Sequence, residues 1–129
     1  MQGSPSPSRQ VVRLGKAIQA SVFLSIILGV LFLVQAYSAL PSFVFQVVAV
    51  GWVLFVVDGA LTFLRPVISY VLAFILAILA LGSSLPQSTH WAFVANGDML
   101  PAFTFLAGSA VQVALLFLVA GYFVARRAR

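Results

Sequence analysis

Four apolar segments, each of about 20 residues or longer, constrain this chain more than any other feature of its sequence. A helix needs about 20 apolar residues to cross a hydrocarbon layer of about 30 Å. Membrane β-barrels instead show short segments of alternating polarity, and the sequence has no such pattern. We therefore predict an all-α integral membrane protein, folded as a compact antiparallel bundle of four transmembrane helices. The predicted helices cover residues 17–40, 43–64, 66–85 and 100–125.

The composition restricts the function classes in the same direction. Of the 129 residues, 63% are hydrophobic and only 7% are charged, whereas a soluble domain carries about 25% charged residues. So few charged side chains argue against a soluble enzyme and against a nucleic-acid-binding domain. The chain has no cysteine, which excludes disulfides, thiolate metal sites and cysteine nucleophiles. We expect membrane lipids as partners and no nucleic acid.

The basic residues predict the orientation. The net charge is +5, and all seven Lys and Arg residues fall on one side of the membrane if the amino terminus is cytoplasmic. Under the positive-inside rule, this distribution predicts a multi-pass protein with both termini in the cytoplasm, and we expect it in the plasma membrane. Arg65, Arg126 and Arg127, together with Trp91, are expected to anchor the helices at the membrane interface.

Composition also separates a tail from a single membrane domain. Residues 1–12 are predicted to form a disordered cytoplasmic tail, because small polar residues and prolines dominate its start. Residues 13–129 are predicted to form one four-helix domain. Its longest connection, residues 82–99, is expected on the outer side, with residues 90–95 as a short helix along the membrane surface.

Asp58 is the most informative residue, because it lies inside the second predicted helix. A charged side chain there costs about 2.5–3.5 kcal/mol on insertion scales, and intramembrane carboxylates usually mark a proton site, an ion pathway or a buried pair. Arg65 is expected to extend toward the cytoplasm rather than to pair with Asp58. Counting residues from the connections predicts an intramembrane polar cluster around Asp58, formed by Ser21, Ser25, Thr62, Ser69 and Tyr70.

Two interpretations of Asp58 stay open at this point. Its carboxyl group either bonds to Ser25 or another polar side chain and holds the first two helices in register, or it handles a proton or cation. A substitution by Leu should weaken packing by roughly 1–2 kcal/mol in the first case, the scale of hydrogen bonds between membrane helices.

Small residues recur every four residues along the first predicted helix. Such stripes let helix backbones approach closely, and they are common packing faces between membrane helices. In the last helix, Gly108 belongs to a second set of small residues, and Gln112 near the midpoint is expected to hydrogen-bond to another helix. The stripe on the first helix consists of Ala17, Ser21, Ser25 and Gly29.

The sequence holds no recognisable catalytic constellation. His90 and Asp98 together are too few ligands for a metal site, and glycine-rich phosphate loops and paired intramembrane carboxylates are missing from the sequence. We therefore expect no enzymatic activity of this chain alone, no cofactor and no metal. At most, the chain would be a subunit of a membrane enzyme complex.

Two functional hypotheses follow. The first is a non-catalytic, small accessory subunit of a larger multi-subunit membrane complex, with other membrane-protein subunits as partners. The helix count and the stretch from Leu28 to Leu33 resemble small DoxX-like four-helix proteins, and this resemblance implies quinone redox chemistry. A respiratory or other redox complex is one setting for such a subunit, although no residue selects it. The alternative is a small homo-oligomeric transporter, or a proton or cation conduit, that uses Asp58.

Overall fold

The computed structural model describes residues 9–37, 42–86, 88–97 and 99–127. The structure in these ranges is all-helical. Helices α1, α2, α3 and α5 are long and apolar enough to cross a membrane, which confirms the predicted number of such helices. The helices are α1 (Arg9–Ala36), α2 (Ser42–Leu64), α3 (Pro66–Ser84), α4 (Ser88–Ala95) and α5 (Met99–Arg127).

The largest difference from the predicted bounds is at the start of α1. Residues 9–12, which were assigned to the tail, are helical, and residues 1–8 lie outside the described part of the chain. The alternation of apolar and polar helix faces extends to residues before position 17, the predicted start of the helix. Val11 is buried, while Arg13 and Lys16 are exposed. The basic residues therefore line the exposed face of a helix that already packs on its apolar face.

Backbone chemistry explains where α3 begins and where α4 ends. Arg65 alone separates α2 from α3; its φ of −142° and ψ of 75° are not helical, and Pro66 occupies the first position of α3. Proline suits that position because its missing N–H has no partner there in any case. Gly97, two residues after the end of α4, has a φ of +74°, a conformation that glycine adopts without steric cost, and its N–H donates to the backbone oxygen of Val94.

The four long helices pack around one core. Helix α1 contacts α2 and α5, and α3 contacts the same two helices, while the short α4 rests on α5. Phe32 of α1 and Phe105 of α5 form a second, smaller cluster. The main core consists of Ile18, Val22, Phe55, Tyr70, Ala73, Leu76, Ala77, Leu115 and Val119.

Two contacts between α1 and α5 lie towards opposite ends of the bundle, and we use them to define its two halves. A methyl group added at Gly121 would meet the side chain of Leu14 at 3.9 Å, and Phe32 shares its cluster with Phe105. We call the half around Leu14 and Gly121 the terminal half, and the half around Phe32 and Phe105 the loop half.

The small-residue stripe of α1 packs inside the chain. A methyl group added at Gly29 would lie 2.6 Å from Cδ1 of Trp52 on α2. The indole ring is held there, because its Nε1 donates a hydrogen bond to the backbone oxygen of Ile26 at 2.9 Å. Gly29 therefore permits the close approach of α1 and α2.

Candidate functional site

Asp58 lies on α2 and is completely buried. Neither of its carboxyl oxygens has a hydrogen-bond partner. The nearest polar contact is made by the backbone, since Ser69 Oγ on α3 donates to the carbonyl oxygen of Asp58 at 3.2 Å. Of the described side chains, the hydroxyl of Ser69 is the polar group that comes near the carboxyl group, and no basic side chain is paired with it.

Ser25 does not bond to Asp58, so of the partners predicted for the carboxyl group, Ser25 or another polar side chain, Ser25 is not the one. Its hydroxyl donates to the backbone oxygen of Ser21 at 2.8 Å and accepts from Nε2 of Gln112 on α5 at 2.8 Å. Counting residues predicts depth, but it does not predict how far each helix is rotated about its axis. In the structure that rotation directs Ser25 to α5, as expected for the interhelical role of Gln112.

This arrangement also fixes the orientation of the Gln112 amide. The single proton of Ser25 is used on the Ser21 carbonyl, so Ser25 can only accept from Gln112, and the NH₂ group must face it. The amide oxygen Oε1 therefore points to the other side. It is buried and has no hydrogen-bond partner, which leaves an unused acceptor at this position.

A separate pair joins α1 to α2. Thr62 donates to the backbone oxygen of Gly59 at 2.6 Å and accepts from Nε2 of Gln19 at 3.0 Å. Gln19 was not singled out in the sequence. The same counting that placed Ser25 opposite Asp58 places Ser21 opposite Thr62. Gln19 lies two residues from that position, so counting alone did not identify it.

The six predicted cluster residues therefore lie in one region but form separate contacts. Five of them are buried, and Ser21 is half-buried. They form three contacts, one between α1 and α5, one between α1 and α2, and one between α2 and α3. The buried members are Ser25, Asp58, Thr62, Ser69 and Tyr70.

The side chains of the predicted anchors lie on the surface of the protein. Arg65, Arg126 and Arg127 have exposed side chains. Trp91 of α4 packs edge-on against Phe105, with ring centroids 5.0 Å apart, and its indole N–H donates to the backbone oxygen of Leu85. Of the other predicted packing residues, Ala17 and Gly108 are half-buried.

The two candidate metal ligands are not placed. Asp98 and the side chain of His90 lie outside the described part of the molecule. Within that part, no group of three or more His, Cys, Asp or Glu residues comes close enough to hold a metal ion.

A cavity of about 280 Å³ lies in the terminal half, and we call it the polar cavity. Tyr70 and Tyr122 meet edge-on at its wall, with ring centroids 4.8 Å apart. Its polar lining residues are Lys16, Gln19, Thr62, Tyr70 and Tyr122. A charged amine, an amide and three hydroxyl groups make this a cavity that water can enter.

A second cavity, of about 390 Å³, lies in the loop half, and we call it the apolar cavity. Valine, leucine, phenylalanine and glycine form most of its wall, and none of its described lining residues is charged. Ser25 and Gln112 belong to the wall at the end that is nearer to the terminal half.

Asp58 lies between the two cavities. Thr62, one turn further along α2, lines the polar cavity, whereas Phe55, one turn earlier, lines the apolar cavity. The core residues Val22, Ala73 and Leu115 are completely buried and lie at a similar position along their helices. The carboxyl group therefore belongs to a dense layer that separates a polar space from an apolar one.

No family model, curated protein or solved structure matches this chain. The geometry of the chain itself must therefore carry the functional argument.

Proposed function

We propose that the protein is a small transporter or conduit of the plasma membrane in which Asp58 binds and releases a proton. The four long helices would cross the membrane as an antiparallel bundle with both termini in the cytoplasm. Two features support this arrangement: the contacts of Leu14 with Gly121 and of Phe32 with Phe105, and the basic residues near both ends of the chain. The polar cavity would then open toward the cytoplasm.

The observation that carries the proposal is a fully buried carboxyl group without a partner, between two cavities. An ionised carboxylate in such a place is costly, and its cost is removed by a bound proton or by a cation. A hard metal cation takes about six oxygen ligands, whereas the hydroxyl of Ser69 is the single described side-chain group that comes near the Asp58 carboxyl. The site therefore suits a proton better than a metal ion.

Access to Asp58 differs between its two sides. On the terminal side, Thr62 lies one helical turn from Asp58, accepts a hydrogen bond from Gln19 and lines the polar cavity together with it. On the loop side, Ser25 and Gln112 are the nearest polar side chains, and apolar residues follow. We infer rapid proton exchange with the cytoplasm and a gated step toward the outer side.

The accessory-subunit hypothesis stays a prediction with less support. It depends in part on small-residue faces that are free to bind another subunit. The stripe on α1 is instead used within the chain, where Gly29 contacts Trp52 and Ser25 bonds to Gln112. The proton site also needs no second copy of the chain, because both cavities are formed within one chain.

Proton flux into liposomes tests the proposal. Purified protein is reconstituted with a pH-sensitive dye inside the vesicles, and a potassium diffusion potential drives proton uptake. We expect uptake above that of empty liposomes, and loss of this excess in Asp58→Asn, which keeps the shape of the side chain but cannot titrate. Asp98→Asn is the matched control, because it removes the only other carboxylate side chain of the sequence, and it should keep the wild-type flux.

Two results would contradict the proposal. One is wild-type flux in Asp58→Asn, and the other is a wild-type protein that moves no more protons than empty vesicles. A size-exclusion profile and a thermal transition like those of the wild type must accompany each variant, so that loss of flux is not confused with loss of folding.

A further inference from the structure

We propose that the polar cavity is a binding site for a phosphate group, carried either by a membrane lipid or by a soluble anion. The ammonium group of Lys16 would pair with the phosphate, and the hydroxyl groups of Tyr70 and Tyr122 would donate hydrogen bonds to its oxygens. This inference does not depend on proton transport by Asp58. It rests on the donors in the wall of the cavity, on its opening, on the charge around it and on its depth.

The wall of the polar cavity brings hydrogen-bond donors of three helices together, namely Lys16 of α1, Tyr70 of α3 and Tyr122 of α5. A methyl group added at Gly15 would lie 2.8 Å from the hydroxyl oxygen of Tyr70, so this hydroxyl lies beside the backbone that carries Lys16. The lysine can only donate, and each phenol can donate once. Three such donors suit a phosphate, which offers three strong acceptor oxygens, better than a carboxylate, which offers two.

The opening of the polar cavity lies beside Lys16. Of the described lining residues, Val12 and Lys16 are exposed, and both belong to α1, whereas the others are buried or half-buried. A ligand therefore passes the ammonium group as it enters, which favours anions over cations. The volume of about 280 Å³ is just below the lower limit of about 300 Å³ for sites of drug-sized ligands, so the cavity suits one small group.

The positive charge around this opening has no acidic side chain to balance it. Arg13 precedes Lys16 by three residues, so helical periodicity places both on one side of α1. Arg126 follows Tyr122 by one turn of α5, and both arginines are exposed. In the described part of the chain, Asp58 has the only carboxylate side chain, and it is completely buried. These cations are therefore available to an anion from outside the chain.

The depth of the polar cavity matches the level of the lipid headgroups in the proposed membrane. Lys16 lies seven residues after the start of α1, and Tyr122 lies five residues before the end of α5. These separations correspond to about 10 Å and about 8 Å along the helix axes. Lys16 also directly precedes the first apolar segment of the sequence. A lipid phosphate would thus reach the cavity within its own layer, and a soluble phosphate would reach it from the cytoplasm.

Fluorescence anisotropy gives a direct binding assay. The purified protein is kept in dodecyl maltoside micelles at constant ionic strength, and the probe is phosphatidic acid with a fluorescent acyl chain. We expect saturable binding. Lys16→Gln, a change at an exposed position, should weaken it by roughly tenfold, the scale of a hydrogen bond to a charged group. Arg13→Gln is the matched control, because it removes the same charge from the same helix outside the wall, and it should weaken binding only about twofold.

The hydroxyl groups are tested by substitutions that keep the aromatic rings. Tyr70→Phe and Tyr122→Phe should each weaken binding by roughly fivefold, the usual worth of one hydrogen bond. Tyr122 is half-buried, so it repeats the test should the buried Tyr70 prove necessary for folding. Tyr37→Phe changes an exposed tyrosine outside the wall and should leave the affinity unchanged.

Competition distinguishes the two sources of the phosphate. Displacement of the probe by dodecyl phosphate but not by inorganic phosphate would identify a lipid headgroup, and displacement by inorganic phosphate at a similar concentration would identify a soluble anion. Dodecanoate, with the same chain length and a carboxylate, should compete less well than dodecyl phosphate. Equal competition by these two would overturn phosphate as the ligand. Equal weakening by Lys16→Gln and Arg13→Gln, or no displacement by either phosphate compound, would overturn the site.

Discussion

In the terminal half of the bundle, polar side chains surround a cavity and pair across helices, as Gln19 does with Thr62. In the loop half, aromatic residues such as Phe32 and Phe105 form the cluster, and the larger cavity there is lined mainly by apolar residues. The same four helices thus enclose two spaces of opposite polarity. Asp58 lies in the layer between them, and its carboxyl group is buried from both spaces.

Within the loop half, the helices also differ in how closely they approach one another. Close contact and open space occur within one wall, since a methyl group at Gly29 would collide with Trp52, but one at Gly51 would meet nothing within 4 Å. The loop half is therefore tight between α1 and α2 and open toward α3.

The largest change in stability is expected at this tight contact. Gly29→Ala should destabilise the bundle by about 2 kcal/mol, the usual scale of overpacking, because the indole ring of Trp52 is held by its bond to Ile26. Gly51→Ala should instead stabilise it by about 0.5–1 kcal/mol, since alanine favours helix over glycine. Unfolding in a mixed detergent series measures both. Similar effects of the two substitutions would contradict the difference in packing between Gly29 and Gly51.

The second expected change is a gain in the stability of the bundle on substitution of Asp58. Asp58→Val removes a buried polar group that has no partner, so it should stabilise the bundle by about 1 kcal/mol while abolishing proton uptake. Asp58→Asn keeps an unpaired polar group and should give no such gain. The same unfolding assay compares the two variants. If Asp58→Val weakens the bundle instead, the carboxyl group has a structural partner and the layer between the cavities is held by it.

The sequence led us to expect that an apolar substitution of a structural Asp58 would weaken helix packing, whereas the structure predicts a gain in stability. The difference arises from what can and cannot be derived from local sequence. The length and polarity of the apolar segments depend only on local composition, so the four long helices were predicted correctly. Depth along a helix also follows from counting, which brought Asp58, Thr62 and Ser69 into one region. The rotation of each helix depends on packing against all its neighbours, and it directs Ser25 to Gln112 rather than to Asp58.

The two cavities were beyond sequence reasoning for a related reason. A cavity exists where side chains fail to fill the space between helices, and that depends on crossing geometry as well as on residue size. Gly51 and Gly108 look like other small residues in the sequence, yet they border open space, whereas Gly29 is in tight contact. The start of α1 was missed because basic residues interrupt the apolar pattern without ending the helix.

The smallest expected effect distinguishes the two hydrogen-bonded side-chain pairs. Ser25 and Gln112 are both buried, so a double-mutant cycle with Ser25→Ala and Gln112→Leu should give a coupling of about 0.6 kcal/mol, the average between membrane helices. Gln19 and Thr62 line the polar cavity, where water competes for the same groups. The cycle with Gln19→Leu and Thr62→Val should therefore give about half of that value. A larger coupling for Gln19 and Thr62 would mean that the polar cavity excludes water, and it would close the route that we assign to protons.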